Sequence, residues 1–218
     1  MALTIFDLDN TLLAGDSDYL WGAFLVERGI VDGDEFARAN ERFYREYEAG
    51  DMDIFEFSRF SFRPLRDNRL KDLERWRRDF LREKIEPIIL PPACELVERH
   101  RAAGDTLLII TATNQFVTAP IAERLGIPNL IATVPEQVNG RYTGEVAGTP
   151  AYQAGKVERL LDWLEETASG LAGSTFYSDS YNDISLLERV EYPMTTDPDD
   201  RLRRHAHDLG WPIISLRG

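Results

Sequence analysis

Cysteine is nearly missing from this chain: Cys94 is the only one among 218 residues, so no intrachain disulfide can form. Positive charge is short as well, with 25 Lys and Arg against 38 Asp and Glu and a formal net charge of −13. Nucleic acid needs basic stripes that displace phosphate counterions, and the one basic run, Arg75-Trp76-Arg77-Arg78, reads as a solvated helix face. Nucleic acid is therefore not an expected partner. An anionic small molecule would have to be attracted by a local cation, not by the overall field. No stretch approaches the ~18 apolar residues of a membrane span, and no basic and apolar leader opens the chain, since a strand begins almost at Met1. The expectation is a cytoplasmic protein with no membrane partner. Internal repeats and low-complexity tracts are absent too, and nothing specifies an oligomer.

What is present is ordinary globular composition, 43% hydrophobic and 29% charged, with length for one sizeable α/β domain carrying a smaller insertion. Leu3, Ile5 and Phe6 predict a short buried parallel strand. Four helical stretches then follow with no strand pattern between them. The first runs from Ser17 to about Arg28 and stops at Gly29, and the second covers Asp34 to Ala49 and stops at Gly50. The third spans Asp53 to Phe62 and ends before Pro64, and the fourth spans Asn68 to Lys84. From Pro91 a β/α alternation resumes. Helix Pro92–Ala103 precedes strand Asp105–Ile110, which breaks off into Thr111-Ala112-Thr113-Asn114. Next come a helix from Gln115 to Leu125, a strand from Asn129 to Thr133, and an Asn139-Gly140 hairpin signal. Helix Gln153–Thr167 carries Lys156 in its first turn, strand Ser174–Ser178 ends at Asp179-Ser180-Tyr181-Asn182-Asp183, and a short helix runs to about Arg189. Strand Tyr192–Thr195, helix Pro198–Leu209 and strand Pro212–Leu216 close the chain. The fold class is α/β, a doubly wound parallel sheet, with residues 1–13 and 87–218 as the core and 14–86 as a helical cap above the strand ends.

The stretch that organises the chemistry is Asp7-Leu8-Asp9-Asn10-Thr11, directly behind the first strand. In open α/β sheets ligands bind outside the carboxyl ends of strands, so both carboxylates would lie in such a crevice. Two neighbouring buried carboxylates repel unless a cation sits among them. Two other strands also end in polar groups, Thr111 and Asp179/Asp183, and Lys156 falls at a helix start. Singly, each has a bland reading: turn residues for Asp7 and Asp9, helix caps for Thr111, Asp179 and Asp183, a surface lysine for Lys156. The ordered set is what lifts them.

That ordered set resembles the haloacid dehalogenase-like superfamily of phosphohydrolases, whose motifs are Asp-x-Asp-x-Thr after strand one, a Ser or Thr after a second core strand, a Lys, and Asp-x-x-x-Asp after a later strand. The resemblance implies a nucleophilic Asp7 that becomes an aspartyl-phosphate, and an Asp9 that protonates the leaving alcohol. Repulsion from Asp7, Asp179 and Asp183 is expected to raise the Asp9 pKa. It also implies Mg²⁺ bound by the Asp7 carboxylate, the Asp9 carbonyl and Asp179, with Asp183 behind them holding a metal-bound water or Lys156. Phosphate oxygens would meet Thr111, the Ala112 amide, Lys156 and Asn182, while Thr11 would anchor the loop.

A helical insertion after the first motif is similar to the cap of the phosphoserine phosphatase-like branch. Asp16, nine residues beyond Asp7, then matches an acid that meets a substrate amino group, and Arg59 a weaker match to a carboxylate-binding arginine. The departures are Ala112-Thr113 where that branch has Gly-Gly, and an aromatic-rich insertion. Some members of the branch hydrolyse histidinol phosphate, which has an amine and an imidazole but no carboxylate. The implied partner is therefore a small phosphate monoester, histidinol phosphate ahead of phosphoserine. A phosphotransferase of the same superfamily would share every catalytic residue. A receiver-type signalling domain ranks low, since its phosphorylated Asp follows the third strand, and a phosphate-binding module without catalysis ranks low because no catalytic position is missing.

Overall fold

The structure is a computed structural model describing residues 2–217. It opens with β1 (Leu3–Phe6), all four residues buried. Helices α1 (Ser17–Glu27), α2 (Gly33–Ala49), α3 (Ile54–Ser61), α4 (Arg63–Asp67) and α5 (Leu70–Phe80) come before any second strand. Acidic caps start three of them: the carboxylates of Asp16, Asp32 and Asp53 accept first-turn backbone N–H groups of α1, α2 and α3. Gly50, left-handed at φ 81°, ends α2. Pro64 stops α3 as expected but also opens α4, because a proline in a first turn lacks only an N–H that would have no helical partner. The expected helix from Asn68 to Lys84 is α5 followed by a π-helical turn, Leu81–Ile85, and a 3₁₀ turn, Glu86–Ile88.

The second part contains α6 (Pro91–Ala102), β2 (Thr106–Asn114), α7 (Gln115–Arg124), β3 (Asn129–Thr133), β4 (Pro135–Val138), β5 (Arg141–Val146), α8 (Ala154–Glu166), β6 (Thr175–Ser178), α9 (Ile184–Leu187), β7 (Tyr192–Thr196), α10 (Asp200–Leu209) and β8 (Ile213–Ile214). Five of these strands join β1 in one six-stranded sheet in the order β3-β2-β1-β6-β7-β8, with every pairing parallel. The strand order reverses around β1, so the carboxyl end of β1 faces the crevice between β2 and β6. β2 is longer than expected: it runs on through Asn114, with its register against β3 shifting between Thr111 and Asn114.

Alternate residues of the central strands bury themselves on opposite faces, as a period of two requires. Phe6 and Ile109 join a core with Trp21, Phe24 and Phe80, while Ile5, Leu108 and Ile110 join one with Val157, Leu160 and Leu202. Trp21 and Phe24 of α1 and Phe80 of α5 thus belong to the main core. A separate small cluster, built on Phe43, Met52 and Tyr152, ties α2 and α3 together over the sheet edge and touches Ala112. The β4–β5 hairpin turns at Asn139 and Gly140, both at positive φ (52° and 74°), and packs against α3 and α4 away from the main sheet. The basic run is not wholly solvated, because Arg77 donates to the Phe116 carbonyl (2.8 Å) and lies over the Phe116 ring.

Gly155, beside Lys156, is fixed by close approach: a Cβ there would sit 2.1 Å from the Pro150 carbonyl oxygen. Backbone cannot yield as a flexible side chain would. Gly155→Ala is expected to lower stability by about 1–3 kcal/mol, read from denaturant unfolding, and to reduce activity by shifting the start of α8.

Candidate active site

Asp7 follows β1 directly, and its N–H continues the strand by donating to the Tyr177 carbonyl (2.9 Å). The chain then coils tightly: the N–H groups of Thr11, Leu12 and Leu13 all point to the Leu8 carbonyl, and Asn10 takes a left-handed conformation (φ 58°), which asparagine tolerates. This coil holds Asp7 and Asp9 at the carboxyl end of the central strand and turns the Thr11 hydroxyl beneath them. Thr11 Oγ1 donates to Asp179 Oδ1 (2.9 Å) and accepts the Asp179 N–H (3.1 Å), joining the loop after β1 to the end of β6.

Lys156 is almost fully buried and serves two acids. Its Nζ donates to Asp7 Oδ1 (2.7 Å) and Asp183 Oδ2 (2.8 Å), and Ser178 Oγ also donates to Asp183 Oδ2 (2.7 Å). Burial alone would discharge the lysine, but Asp183 and Asp7 outweigh it and hold its pKa above the ordinary value. For Asp7 the balance tips the other way: burial raises its pKa to about 7 despite Lys156. Asp179, bonded to Thr11 but to no cation, is held well above the carboxylate range by burial, then by repulsion from Asp7.

Asp9 sits in a different environment. Ser17 N–H donates to its Oδ1 (2.6 Å) and Thr113 Oγ1 to its Oδ2 (2.8 Å), with Thr111 Oγ1 at 3.5 Å. The shifted register of β2 is what brings both threonine hydroxyls to this carboxylate. Its pKa rises to about 6, first through burial and then through Asp16, so the expected repulsion from Asp7, Asp179 and Asp183 is not the main cause.

Asp7, Asp9, Asp16, Thr111, Ala112, Lys156, Asp179, Asn182 and Asp183 all line one cavity of about 910 Å³, roofed by α2 and α3. Among the described residues six aspartates line it, the sixth being Asp18, against a single cation, Lys156. Asp16 caps α1 with one oxygen and remains exposed to the cavity. Asn182 accepts from Gln153 Nε2 (3.1 Å) and donates to the Tyr47 carbonyl (3.2 Å), so it ties the roof to the core. Arg59 is elsewhere: it does not line the cavity, and its guanidinium faces Glu145 of the hairpin at 3.7 Å, both side chains about half exposed. Its place on α3 does not aim it inward, because α3 turns that face toward β5.

Several contributors escaped sequence reasoning. Thr113 lies two residues beyond Thr111 on the same strand, a spacing that would have placed it on the same side. Asp18, which accepts from Ser61 Oγ (3.0 Å) and Asn114 Nδ2 (3.1 Å), depends on partners from α3 and β2 that no local pattern reveals. The roof is latched by Tyr47 OH to Ser180 Oγ (2.9 Å) and Gln153 Nε2 to the Gly50 carbonyl (3.1 Å). Gln153 has a strained backbone (φ 47°, ψ −120°) at this junction.

A divalent cation suits the donor set. Among the described residues no three His, Cys, Asp or Glu side chains form a ready cage. Magnesium does not need one, since it commonly takes one or two carboxylates and completes its shell with water and phosphate. At the strand ends, Asp179 meets the Thr11 hydroxyl and no cation among the described residues, so burial and Asp7 disfavour its charge. It and Asp7 would supply the carboxylates.

The fold and the carboxylate cluster define a hydrolase of the phosphatase class. By sequence the chain belongs to the haloacid dehalogenase-like hydrolases, whose pattern matches residues 4–188. A histidinol-phosphatase of Neisseria meningitidis is 42% identical over 219 residues, covering 99% of each chain. A crystal structure of a Bordetella pertussis protein of unknown function superimposes with a TM-score of 0.93 at 42% identity, covering 99% of this chain and 98% of that one. A substrate-bound phosphoserine phosphatase shares the fold, with a TM-score of 0.71 at 18% identity over 99% of this chain and 92% of that one.

A buried aspartate with a raised pKa takes up a proton on folding, so its ionisation opposes folding as pH rises. In chelator-treated protein, Asp179→Asn should therefore match the parent in thermal midpoint near pH 4 and exceed it increasingly as pH rises toward neutrality. Mg²⁺ should then raise the midpoint of the parent far more than that of the variant. A midpoint difference independent of pH would contradict the assignment of uncompensated charge to Asp179.

Proposed function

We propose that the protein is a Mg²⁺-dependent phosphomonoesterase acting on histidinol phosphate through an aspartyl-phosphate on Asp7. The observation that carries the choice of substrate is the charge of the cavity: its lining holds six aspartates, and its one cation is already shared by Asp7 and Asp183. A substrate bearing an amine and no carboxylate matches such a wall. Phosphoserine would bring a carboxylate among these acids with Arg59 turned away to Glu145. The Neisseria relative named histidinol-phosphatase, 42% identical over its full length, supports the same reading.

In this mechanism Lys156 grips Asp7 Oδ1 and leaves Oδ2 to attack phosphorus. As the new O–P bond forms, the ester P–O bond breaks, and Asp9 passes its proton to the departing alkoxide. Thr113 supports both states of Asp9, because its hydroxyl donates to the carboxylate and, turned over, accepts from the acid. Water then attacks the phosphoaspartate while Asp9 takes its proton, releasing inorganic phosphate and restoring Asp7. Bound Mg²⁺, held by Asp7, Asp179 and the Asp9 carbonyl, would neutralise phosphate charge. Thr111 and the Ala112 amide would hold the equatorial oxygens, with Asn182 alongside, and Asp16 would receive the substrate amine.

Two measurements test this. Steady-state kinetics should give a kcat/KM for histidinol phosphate at least about 100-fold above that for phosphoserine, the scale on which an unpaired buried charge discriminates. Asp7→Asn should abolish phosphate release from both histidinol phosphate and an aryl phosphate, and EDTA should do the same reversibly. Equal turnover of phosphoserine and histidinol phosphate would overturn the substrate assignment while leaving the phosphatase intact.

A further inference from the structure

Gln153 meets none of the demands that local structure makes on its position. It stands just before α8, where Ser, Thr, Asp or Asn would cap the helix, yet its side chain makes no cap hydrogen bond. Its backbone lies at φ 47° and ψ −120°, a conformation that glycine adopts freely and other residues only under strain. Strain of this kind persists where the surroundings over-determine it. Here the surroundings are three oxygens, each 3.1 Å from Gln153 Nε2: the Gly50 carbonyl at the end of α2, Asn182 Oδ1 and the Tyr152 hydroxyl. A carbonyl can only accept, so Gly50 fixes the amide nitrogen of Gln153, not its oxygen, on that side. The Gln153 carbonyl meanwhile accepts the Lys156 N–H (3.1 Å). One strained residue thus starts the turn that carries Lys156 and reaches back to the roof.

Asn182 takes its orientation from this contact. Its Oδ1 accepts from Gln153, and one N–H of its Nδ2 donates to the Tyr47 carbonyl (3.2 Å). A single hydrogen bond leaves an amide free to swivel, whereas two on opposite atoms fix its plane. A primary amide carries two N–H groups, so the second remains, on a residue that shares the main cavity wall with Lys156 and Asp183. We propose that Gln153 is a positioning residue for phosphate recognition: by holding Asn182 Oδ1, it aims the second Asn182 N–H at a phosphate oxygen of the bound ester. This deepens the proposed function and rests on the place it gives Asn182 beside the phosphate. The need for a side chain long enough to reach Asn182, and able to donate to it, explains glutamine where glycine would be the easier residue.

The test measures hydrolysis of p-nitrophenyl phosphate in excess Mg²⁺ and its competitive inhibition by inorganic phosphate. Gln153→Ala and Asn182→Ala should each raise KM and the phosphate inhibition constant by about five- to tenfold, the scale of one hydrogen bond to a charged group, with kcat changed less. A misfolded fraction would instead lower kcat and leave both constants alone. Because Gln153 acts through Asn182, the double variant should bind phosphate to within about twofold of Asn182→Ala alone. Gln153→Gly, which relieves the backbone strain, should melt above Gln153→Ala and still bind phosphate as weakly. An unchanged inhibition constant in Gln153→Ala would overturn the proposal, as would losses that multiply in the double variant or binding restored in Gln153→Gly. The aryl ester keeps the result independent of the physiological substrate. If these outcomes are met but histidinol phosphate is hydrolysed no faster than phosphoserine, the role of Gln153 stands and the substrate assignment falls.

Discussion

One buried ammonium group holds this structure's chemistry together. Lys156 reaches from the first turn of α8 to Asp7 behind β1 and Asp183 behind β6, three points remote in sequence. A charge this deep is tolerable only when paired, and the pairing fixes all three elements relative to one another. Gly155 lets α8 approach the Pro150 carbonyl closely enough for that reach. Thr11 provides a second tie, neutral and short, between the same two strand ends. Together they set a rigid floor on which Asp179 is left with more negative charge than the protein itself neutralises. The excess is a property of the site, and it is what a divalent ion bound there would neutralise.

The roof follows a different logic. Floor and main core are continuous with α1 and α5, so those helices are as firmly embedded as the sheet. The second helix and third helix rest on their own small apolar cluster and meet the floor through hydrogen bonds from Tyr47, Gln153 and Asn182. Asp16 and Asp18, which line the cavity, come from the start of α1. What the roof supplies is mainly aromatic and aliphatic surface.

The strand ends were legible because acids and hydroxyls directly behind apolar runs have few other places to go. Asp7, Asp9, Thr111, Asp179 and Asp183 are all of this kind, and the Asn139-Gly140 turn declares itself by its left-handed backbone. Local pattern falls short where a residue's direction depends on packing. Arg59 was expected to face inward, but α3 meets β5 on that side and the guanidinium turns to Glu145. Pro64 was read as a stop and also serves as a start. The apolar run of β2 stops at Ile110, yet β3 pairs with the strand as far as Asn114, and that extra length delivers Thr113 to Asp9.

By itself, then, the sequence determined the class of fold and the order of reactive groups along it, since both follow from local periodicity and from which residue types can end a buried strand. It also determined the strongly acidic character of the chain. Only the tertiary structure decided which acids share a cation, which threonine meets Asp9, and which arginine is excluded from the cavity. Those outcomes depend on side-chain direction and on contacts across 100 residues or more, such as Lys156 with Asp7 and Thr11 with Asp179. A linear pattern carries no record of such distances, and electrostatic free energy depends on little else.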